Sequence, residues 1–216
     1  MNDNTPVVFV VDDDDSVRRA LVRLIGSAGY RVKDFGSALA FLACEPLTDC
    51  AACLVLDVRL PDLNGLELQR RLNGASATLP IIFITGYGDI PMTVSAMKAG
   101  AADFLAKPVS DVDLLGAIES ALGRSDEALA SRSEIDAIHR RLGRLTPRER
   151  EVLSLIVKGL LNKQVACELG TVEKTIKVHR ARVMEKMEVH SLAELVRISD
   201  KAGIIARDQA PASAQQ

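Results

Sequence analysis

The sequence predicts an α/β domain with a doubly wound parallel sheet, followed by an all-α domain of four helices that contains a helix-turn-helix. Two observations predict the sheet: short apolar runs alternate with amphipathic helical patterns, and four of these runs end in an acid, a hydroxyl or an amine. Parallel strands that are covered on both faces have this continuous apolar character. A series of short helical patterns joined by tight turns after residue 143 predicts the second domain.

The predicted strands share an apolar run and a polar residue directly after it. The runs are Val7–Val11, 53–56, 81–84 and Asp103–Ala106, and the residues after them are Asp12 with Asp13, Asp57, Thr85 and Lys107. Right-handed crossovers place the carboxyl ends of parallel strands at one edge of a sheet, and ligands bind outside that edge. We therefore expect these side chains to meet in one site.

Amphipathic helices are predicted between the strands, at residues 16–28, 37–44, 65–72, 90–99 and 111–122. Gly29, Gly74 and Gly100 stand where helix C-caps are expected, because glycine adopts the left-handed conformation that ends many helices.

Four consecutive acids occupy positions 12–15. Carboxylates a few ångströms apart raise each other's pKa unless a cation offsets the repulsion, and oxygen ligands of this kind suit a hard divalent ion. We therefore predict a Mg²⁺ site that includes Asp12 and Asp13. The alternative for Asp14 and Asp15 is that they begin the next helix, where acids favour the helix dipole.

These residues and their spacing resemble the receiver domain of two-component response regulators, over about residues 6–124. Four strand-end motifs carry the resemblance: Val11-Asp12-Asp13, Leu56-Asp57 followed by Pro61 and Gly65, Ile84-Thr85-Gly86, and Ala106-Lys107-Pro108. The resemblance implies a five-stranded parallel sheet, with one more strand between the first two runs.

By this resemblance, Asp57 accepts a phosphoryl group from the phosphohistidine of a cognate sensor histidine kinase. Mg²⁺ is held by Asp12, Asp13, Asp57 and the backbone carbonyl of Arg59, and Lys107 neutralises the phosphoryl oxygens. The residue types fit, since a carboxylate can form an acyl phosphate and a metal with a lysine stabilises the transferring group. The alternative for Lys107 is an ordinary surface lysine.

The resemblance also assigns a switch to Thr85, which turns towards the phosphoryl group, and Phe104, which then rotates inward. The alternative for Phe104 is an ordinary core residue. Two residues depart from the family pattern: Val109 stands where phenylalanine is common, and Tyr87 lies in the loop after Thr85.

A competing enzyme interpretation is an aspartyl-phosphate hydrolase of the haloacid dehalogenase type. That class needs a second acid two residues after the nucleophile, and this chain has Arg59 there. We therefore expect no enzyme activity beyond assistance to the chain's own phosphorylation and dephosphorylation.

Composition predicts two domains in the cytoplasm. The 216 residues exceed the common size of one domain, no apolar run approaches a membrane span, and no secretory leader precedes Val7. Cys50-x-x-Cys53 has no second ligand pair, which favours reduced thiols over a zinc or redox site.

Charge is unevenly distributed along the chain. Residues 1–124 carry 11 Lys or Arg and 16 Asp or Glu, whereas residues 143–207 carry 13 Lys or Arg and 8 Asp or Glu, so an acidic half precedes a basic one. A basic half suggests nucleic-acid binding.

The predicted domains are residues 1–124 and 143–207. Between them, residues 125–142 have weakly amphipathic spacing and predict a helical linker, with a partly disordered connection as the alternative. Residues 208–216 are rich in Ala, Gln and Ser and are expected to be disordered.

Four helices are predicted in the basic half, at residues 147–158, 162–169, 172–187 and 192–201. Thr146, Pro147 and Glu149 form a capping-box pattern at the start of the first, and Ser191 can cap the fourth.

The third of these helices has two distinct faces. One stripe is expected to be buried: Val172, Ile176, His179, Val183 and Met187. The opposite stripe is Lys174, Lys177, Val178, Ala181, Arg182 and Glu185. Such a face suits the DNA major groove, and a solvated basic face is the alternative.

Three segments resemble the LuxR-type output domain: 145–153, 159–166 and 175–180. With the receiver motifs in front, the chain resembles a NarL/FixJ-type response regulator, and Gly88-Asp89-Ile90-Pro91-Met92 places it with the FixJ-like branch. The resemblance assigns base contacts to Lys177 and Val178, and phosphate contacts to Lys174, Arg180 and Arg182. Val172 departs from the family's usual serine and cannot cap its helix, so Thr171 must substitute or the turn is looser.

The resemblance implies a phosphorylation-dependent transcriptional regulator, expected to be an activator. Its implied partners are the kinase, double-stranded promoter DNA, RNA polymerase and a second copy of the chain upon phosphorylation, with no membrane. The alternative is a phospho-dependent module that binds RNA or protein. The absence of aromatic residues between the basic ones of the third helix disfavours RNA stacking.

Overall fold

The structure is a computed structural model that describes residues 5–44, 50–74, 79–86 and 90–204. The chain divides into two compact units, residues 1–130 and 131–216, and each is described by itself. The elements in chain order are β1 Val7–Val11, α1 Asp15–Ser27, β2 Arg31–Phe35, α2 Ala38–Ala43, β3 Ala52–Asp57, α3 Gly65–Gly74, β4 Ile81–Thr85, α4 Ile90–Lys98, β5 Asp103–Ala106, α5 Asp111–Gly143, α6 Pro147–Val157, α7 Asn162–Glu168, α8 Glu173–Met187 and α9 Leu192–Lys201. Tyr87, Gly88, Asp89 and the tail at 208–216 lie outside the described residues.

The first unit contains a five-stranded sheet of order β2-β1-β3-β4-β5 in which every pairing is parallel. This confirms the predicted fold class. In the register, Val11 lies opposite Leu56 and Thr85 lies opposite Ala106. Asp12, Asp57, Thr85 and Lys107 therefore stand at neighbouring strand ends along one edge.

Strand β2 was implied by the resemblance and was not evident as an apolar run. Its sequence Arg-Val-Lys-Asp-Phe is exposed or half-buried throughout, because β2 is the edge strand and pairs only with β1. An edge strand needs no continuous apolar run, so its pattern is weak.

Two hydrophobic cores cover the two faces of the sheet. Phe9, Leu56 and Phe83 pack on one face with residues of α2, α3 and α4. Val10 and Val55 point to the other face, where residues of α1 and of the first part of α5 cover them. Alternate residues of the same strand thus enter opposite cores, as a doubly wound sheet requires.

The second unit packs α6 to α9 and the end of α5 around one core, which includes Ile138, Leu153, Ile176 and Leu195. Thr146 and Glu149 form the capping box expected at the start of α6. Gly159 and Gly170, both with positive φ, follow α6 and α7 and allow the tight turns between these short helices.

One residue of the predicted buried stripe on α8 is exposed. Val172 is 65% exposed because it precedes the helix in an extended conformation, whereas Ile176, Val183 and Met187 are buried. His179 is half-buried. Val172 makes no side-chain cap hydrogen bond, so this helix begins without the cap that serine would supply.

Residues 125–142 lie within the helix α5, Asp111–Gly143. Ser125 is buried in the first unit, where its hydroxyl accepts a hydrogen bond from the backbone N–H of Ala52 at 3.1 Å. Ile138 is buried in the second unit.

Cys44, Cys50, Cys53 and Cys167 form no disulfide, and burial raises the pKa of the Cys53 thiol to about 12. Among the described residues, no helix combines the length and apolar character needed to cross a membrane.

Candidate functional site

Three carboxylates lie together at the carboxyl edge of the sheet. Asp12 follows β1 and is fully buried, Asp57 ends β3 and is 8% exposed, and Asp13 is exposed. One oxygen from each lies within 4.8 Å of the others. The cluster arises because β1 and β3 are hydrogen-bonded neighbours in register.

Lys107 joins the two buried carboxylates. Its Nζ donates to Asp12 Oδ2 at 2.7 Å and to Asp57 Oδ2 at 2.6 Å. The backbone N–H of Lys107 donates to the carbonyl of Thr85 at 2.8 Å, which fixes the end of β5 against β4. Burial lowers the pKa of Lys107, but the carboxylates of Asp12 and Asp57 outweigh it and the net direction is upward. The lysine is thus held in its charged form inside the site.

The second oxygen of each buried carboxylate is held by the backbone. Asp12 Oδ1 accepts from the N–H of Asp14 at 2.9 Å, and Asp57 Oδ1 accepts from the N–H of Arg59 at 3.0 Å. Burial raises the pKa of Asp12, against the lowering effect of Lys107 and of the Asp14 N–H. Additional positive charge close to Asp12 would therefore be favourable.

Asp14 begins α1, as the alternative interpretation of this acid predicted. Its Oδ1 accepts from the backbone N–H groups of Ser16 at 2.7 Å and of Val17 at 3.2 Å. These hydrogen bonds lower the pKa of Asp14. Asp14 is therefore an N-cap residue, and Asp15 is the first residue of the helix.

Gly65 allows the loop after β3 to approach the site closely. A Cβ at this position would lie 2.7 Å from the carbonyl oxygen of Asp57, 3.1 Å from Val58 Cα and 3.2 Å from the ring of Phe83. The Gly65 N–H also donates to the carbonyl of Val58 at 2.9 Å. Glycine is thus required here by the lack of space behind Asp57.

Thr85 ends β4, and Phe104 is the second residue of the neighbouring strand β5. Thr85 is buried, one strand away from Asp57. Phe104 is half-buried, and its ring centroid lies 6.2 Å from that of Phe83. The ring therefore contacts the core and is also partly open to solvent.

Arg18 is a site residue that sequence reasoning missed. Its Nη1 donates to the backbone carbonyl of Asp12 at 2.8 Å, and its Nε donates to Asp34 at 3.1 Å. It also pairs with Asp15. Arg18 therefore holds the end of β1 in place from α1. The sequence signal was a basic residue one turn after an acidic run, and it did not show which group the arginine would reach.

An apolar groove opens beside Lys107. It encloses about 690 Å³ and is lined chiefly by α1 and by the segment that joins β5 to α5. The lining includes Leu21, Leu24, Lys107 and Val109. Val109 occupies the position at which phenylalanine is common in the family that the sequence resembles. The groove is thus continuous with the site through Lys107.

A second candidate site is the outward face of α8. Lys174, Lys177, Val178 and Arg182 are exposed there, as the sequence predicts. Lys177 pairs with Glu173 at 3.1 Å on the same helix. Arg180 is half-buried and donates to Asn162 Oδ1 at 3.1 Å, which joins α8 to α7.

Two family models match the chain, one in each unit. Residues 8–119 match the response regulator receiver domain, and residues 143–199 match the luxR family of bacterial regulatory proteins. Nodulation protein W of Bradyrhizobium diazoefficiens is 48% identical over 200 residues, which are 93% of this chain and 88% of that protein. The transcriptional regulatory protein FixJ of Azorhizobium caulinodans is 44% identical over 94% of this chain and 96% of its own length.

Among solved structures, the response regulator StyR aligns with a TM-score of 0.79 at 49% identity, over 91% of this chain and 99% of that one. The aligned residues thus belong to both units. The chain belongs to the two-component response regulators that carry a LuxR-type DNA-binding domain, the family of FixJ.

Proposed function

We propose that Asp57 is the phosphoryl acceptor of this regulator and that its phosphorylation controls promoter binding through α8. The observation that carries this proposal is the pair of hydrogen bonds from Lys107 Nζ to Asp12 and Asp57. They place a fixed positive charge where a phosphoryl group on Asp57 would develop negative charge.

In the transfer, a carboxylate oxygen of Asp57 attacks the phosphorus of a phosphohistidine on the kinase. The P–O bond forms as the P–N bond breaks, and the imidazole leaves with the bonding electron pair and takes a proton from solvent. The N–H of Arg59 holds Asp57 Oδ1, so the carboxylate is oriented before the phosphoryl group arrives. Lys107 then exchanges its bond to Asp57 for one to a phosphoryl oxygen. We expect catalysis by this chain to be limited to its own phosphorylation and dephosphorylation.

Asp12, Asp13 and Asp57 fit a magnesium ion, because three carboxylates within 4.8 Å are hard oxygen ligands. The backbone carbonyl of Arg59 is proposed as a further ligand, because the family pattern implies it. When bound, Mg²⁺ supplies charge that neutralises the phosphoryl oxygens. The raised pKa of the buried Asp12 supports this assignment, since a nearby cation offsets the effect of burial.

The kinase is proposed to dock in the apolar groove beside Lys107. A phosphohistidine must reach Asp57 from outside the sheet edge, and the groove borders that edge through Lys107. Leu21, Leu24 and Val109 supply an apolar lining, which suits the side chains of a kinase helix. Val109 leaves more room than phenylalanine would, so it is proposed to contribute to kinase choice.

Phosphorylation is proposed to act through Thr85 and Phe104 on the face of α4. The exposed side chains Ile90, Val94 and Met97 recur at helical spacing and form an apolar stripe on this helix. Burial of such a stripe in a second copy of the chain would place two DNA-binding units on one promoter. Activation through RNA polymerase completes the proposed sequence.

On DNA, Lys177 and Val178 are proposed to read base edges, and Lys174 and Arg182 to contact phosphates. Their exposure on one face of α8 supports this assignment. Arg180 has several N–H donors, so its bond to Asn162 is compatible with a phosphate contact as well.

The phosphoryl acceptor is tested by intact-mass spectrometry after incubation with acetyl phosphate and Mg²⁺. Wild-type protein is expected to gain about 80 Da, the mass of one phosphoryl group, and Asp57→Asn to gain nothing. Asp14→Asn is a matched control, because it makes the same change at the neighbouring helix cap and keeps the acceptor. A wild-type yield of adduct in Asp57→Asn would contradict the assignment.

A further inference from the structure

The DNA-reading helix α8 ends at a residue with an unusual backbone conformation. Glu188 has φ 55° and ψ 46°, in the left-handed region. It is the one non-glycine residue with positive φ in the described part of the chain. The other positive-φ residues are glycines that follow α1, α4, α6, α7 and α9: Gly29, Gly100, Gly159, Gly170 and Gly203. A side chain is disfavoured in this region, so the glutamate requires an explanation.

The backbone of this helix end does not explain the glutamate. The N–H of Glu188 donates to the carbonyl of Glu185 at 3.0 Å, and the N–H of Val189 donates to the carbonyl of Met184 at 3.1 Å. This is the Schellman arrangement, in which glycine is the preferred residue at the left-handed position. Glycine would therefore form the same hydrogen bonds without strain.

The side chain of Glu188 supplies a reason. Its Oε2 lies 2.9 Å from Arg141 Nε, and its Oε1 lies 2.8 Å from Arg144 Nη1. Arg144 and Arg141 lower the pKa of this carboxyl group. Arg141 stands in the last turn of α5, and Arg144 follows that helix. Each carboxylate oxygen thus has its own arginine at the end of α5.

We propose that Glu188, Arg141 and Arg144 form a clamp that fixes the C-terminal end of α8 to the end of α5. Glu188 is then a positioning residue for the helix that reads DNA. The anchor is firm because Ile138, one turn before Arg141, is buried in the core of the same unit. A helix end that is already ordered does not have to be ordered when DNA binds.

The clamp acts on sequence discrimination more than on general attraction to DNA. Base contacts from Lys177 require a fixed rotation and tilt of α8, whereas phosphate contacts tolerate a change in tilt. Glu188→Gln keeps the shape of the side chain and removes its charge. We expect it to reduce the ratio of specific to non-specific affinity by about three- to tenfold, since exposed ion pairs have modest effects individually.

Glu188→Gly separates positioning from folding. It removes the clamp and also relieves the left-handed strain, so its thermal midpoint is expected to equal or exceed that of the wild type. Its specificity ratio is nevertheless expected to fall as in Glu188→Gln. A residue that served only to hold the fold together would not show this combination.

Charge effects are controlled by two further variants. The double variant Arg141→Gln with Arg144→Gln breaks the same clamp but changes the net charge in the opposite direction from Glu188→Gln. The affinity for non-specific DNA should therefore rise in Glu188→Gln and fall in the double arginine variant, and its salt dependence should change in opposite directions too. Both proteins should nevertheless lose sequence specificity. Glu134→Gln is the matched control, because Glu134 pairs with Lys201 of α9 and its loss changes the charge equally without touching α8.

The experiment measures affinities of the full-length proteins for two duplexes of equal length. One is selected by the wild-type protein from a random pool, and the other is a scrambled version of it. The clamp predicts a reduced ratio in both Glu188 variants and the double arginine variant, and a wild-type ratio in Glu134→Gln. Unchanged ratios in the Glu188 variants, or an equal loss in Glu134→Gln, would overturn it. The clamp rests on DNA reading by α8, so a wild-type protein without sequence preference would contradict that function itself.

Discussion

Removal of the Lys107 amine is expected to make the stability of the first unit depend strongly on Mg²⁺. In Lys107→Met, two charge-assisted hydrogen bonds are lost, at 2.7 Å to Asp12 and 2.6 Å to Asp57. Both carboxylates are almost fully buried and then lack that cation. Breaking a buried ion pair by removing one partner costs about 3–5 kcal/mol, which is a large part of the stability of an ordinary domain.

Magnesium should restore much of this loss. A ligand that binds only the folded state stabilises it by about 2.7 kcal/mol at a hundredfold excess over its Kd. The variant lacks the lysine that competes for the same oxygens, so Mg²⁺ should stabilise it more than it stabilises the wild type. Phosphorylation by acetyl phosphate should still fall, because the charge that meets the phosphoryl oxygens is missing.

The assay is urea unfolding of the full-length protein, monitored for the first unit with and without millimolar Mg²⁺. Lys98→Met is the control, because Lys98 is an exposed lysine on α4 away from the strand ends. Stability equal to the wild type in the absence of Mg²⁺, or an identical response of both proteins to Mg²⁺, would refute the coupling of Lys107 to the acid cluster.

Three further outcomes are expected. Lys186 and then the Thr146 N–H lower the pKa of Glu149 below its ordinary value of 4.5. The stabilisation that the Glu149 carboxylate gives to the second unit is therefore fully present above pH 4.5, and it is lost as the pH falls through the pKa of Glu149 in the folded protein. In denaturant titrations, Glu149→Gln should lower the stability of the second unit by about 1–3 kcal/mol at neutral pH and flatten its acid dependence; an unchanged profile would argue against this pair. Gly65→Ala should cost about 1–3 kcal/mol in thermal unfolding and slow phosphorylation, because its Cβ would lie 2.7 Å from the Asp57 carbonyl; wild-type behaviour would show that the loop can yield. In DNA-binding titrations across salt concentrations, Lys177→Ala should relax the preference at one base position by about 1–3 kcal/mol, whereas Lys174→Ala should weaken binding to all sequences alike. If both variants bound DNA as the wild type does, this face of α8 could not be the DNA-binding surface.

The strand-end residues could be predicted because their positions follow from a local pattern. Each buried strand is a short apolar run, so the residue after it must lie at the sheet edge, and Asp12, Asp57 and Lys107 do meet there. Strand β2 has no such run, because it lies at the edge of the sheet and is partly exposed. Its existence was implied by the family resemblance alone.

The residues that sequence reasoning missed act on partners in other elements of the fold. Arg18 reaches the carbonyl of Asp12 and the side chain of Asp34, and Glu188 reaches Arg141. No periodicity links such partners, since their meeting depends on how helices pack. The need for glycine at position 65 also depends on packing, through Asp57 and Phe83. Val172 was wrongly expected to be buried because helical periodicity was extended one residue beyond the start of α8.

The proposed function holds that phosphorylation of Asp57 controls DNA binding by the second unit. Its most direct test is the affinity of the full-length protein for its selected duplex, with and without beryllofluoride and Mg²⁺, in the wild type and in Asp57→Asn. We expect the acyl-phosphate mimic to raise the wild-type affinity about tenfold, within the usual range of coupling between sites, and to leave Asp57→Asn unchanged. An equal response of the two proteins, or no response of the wild type, would contradict the claim.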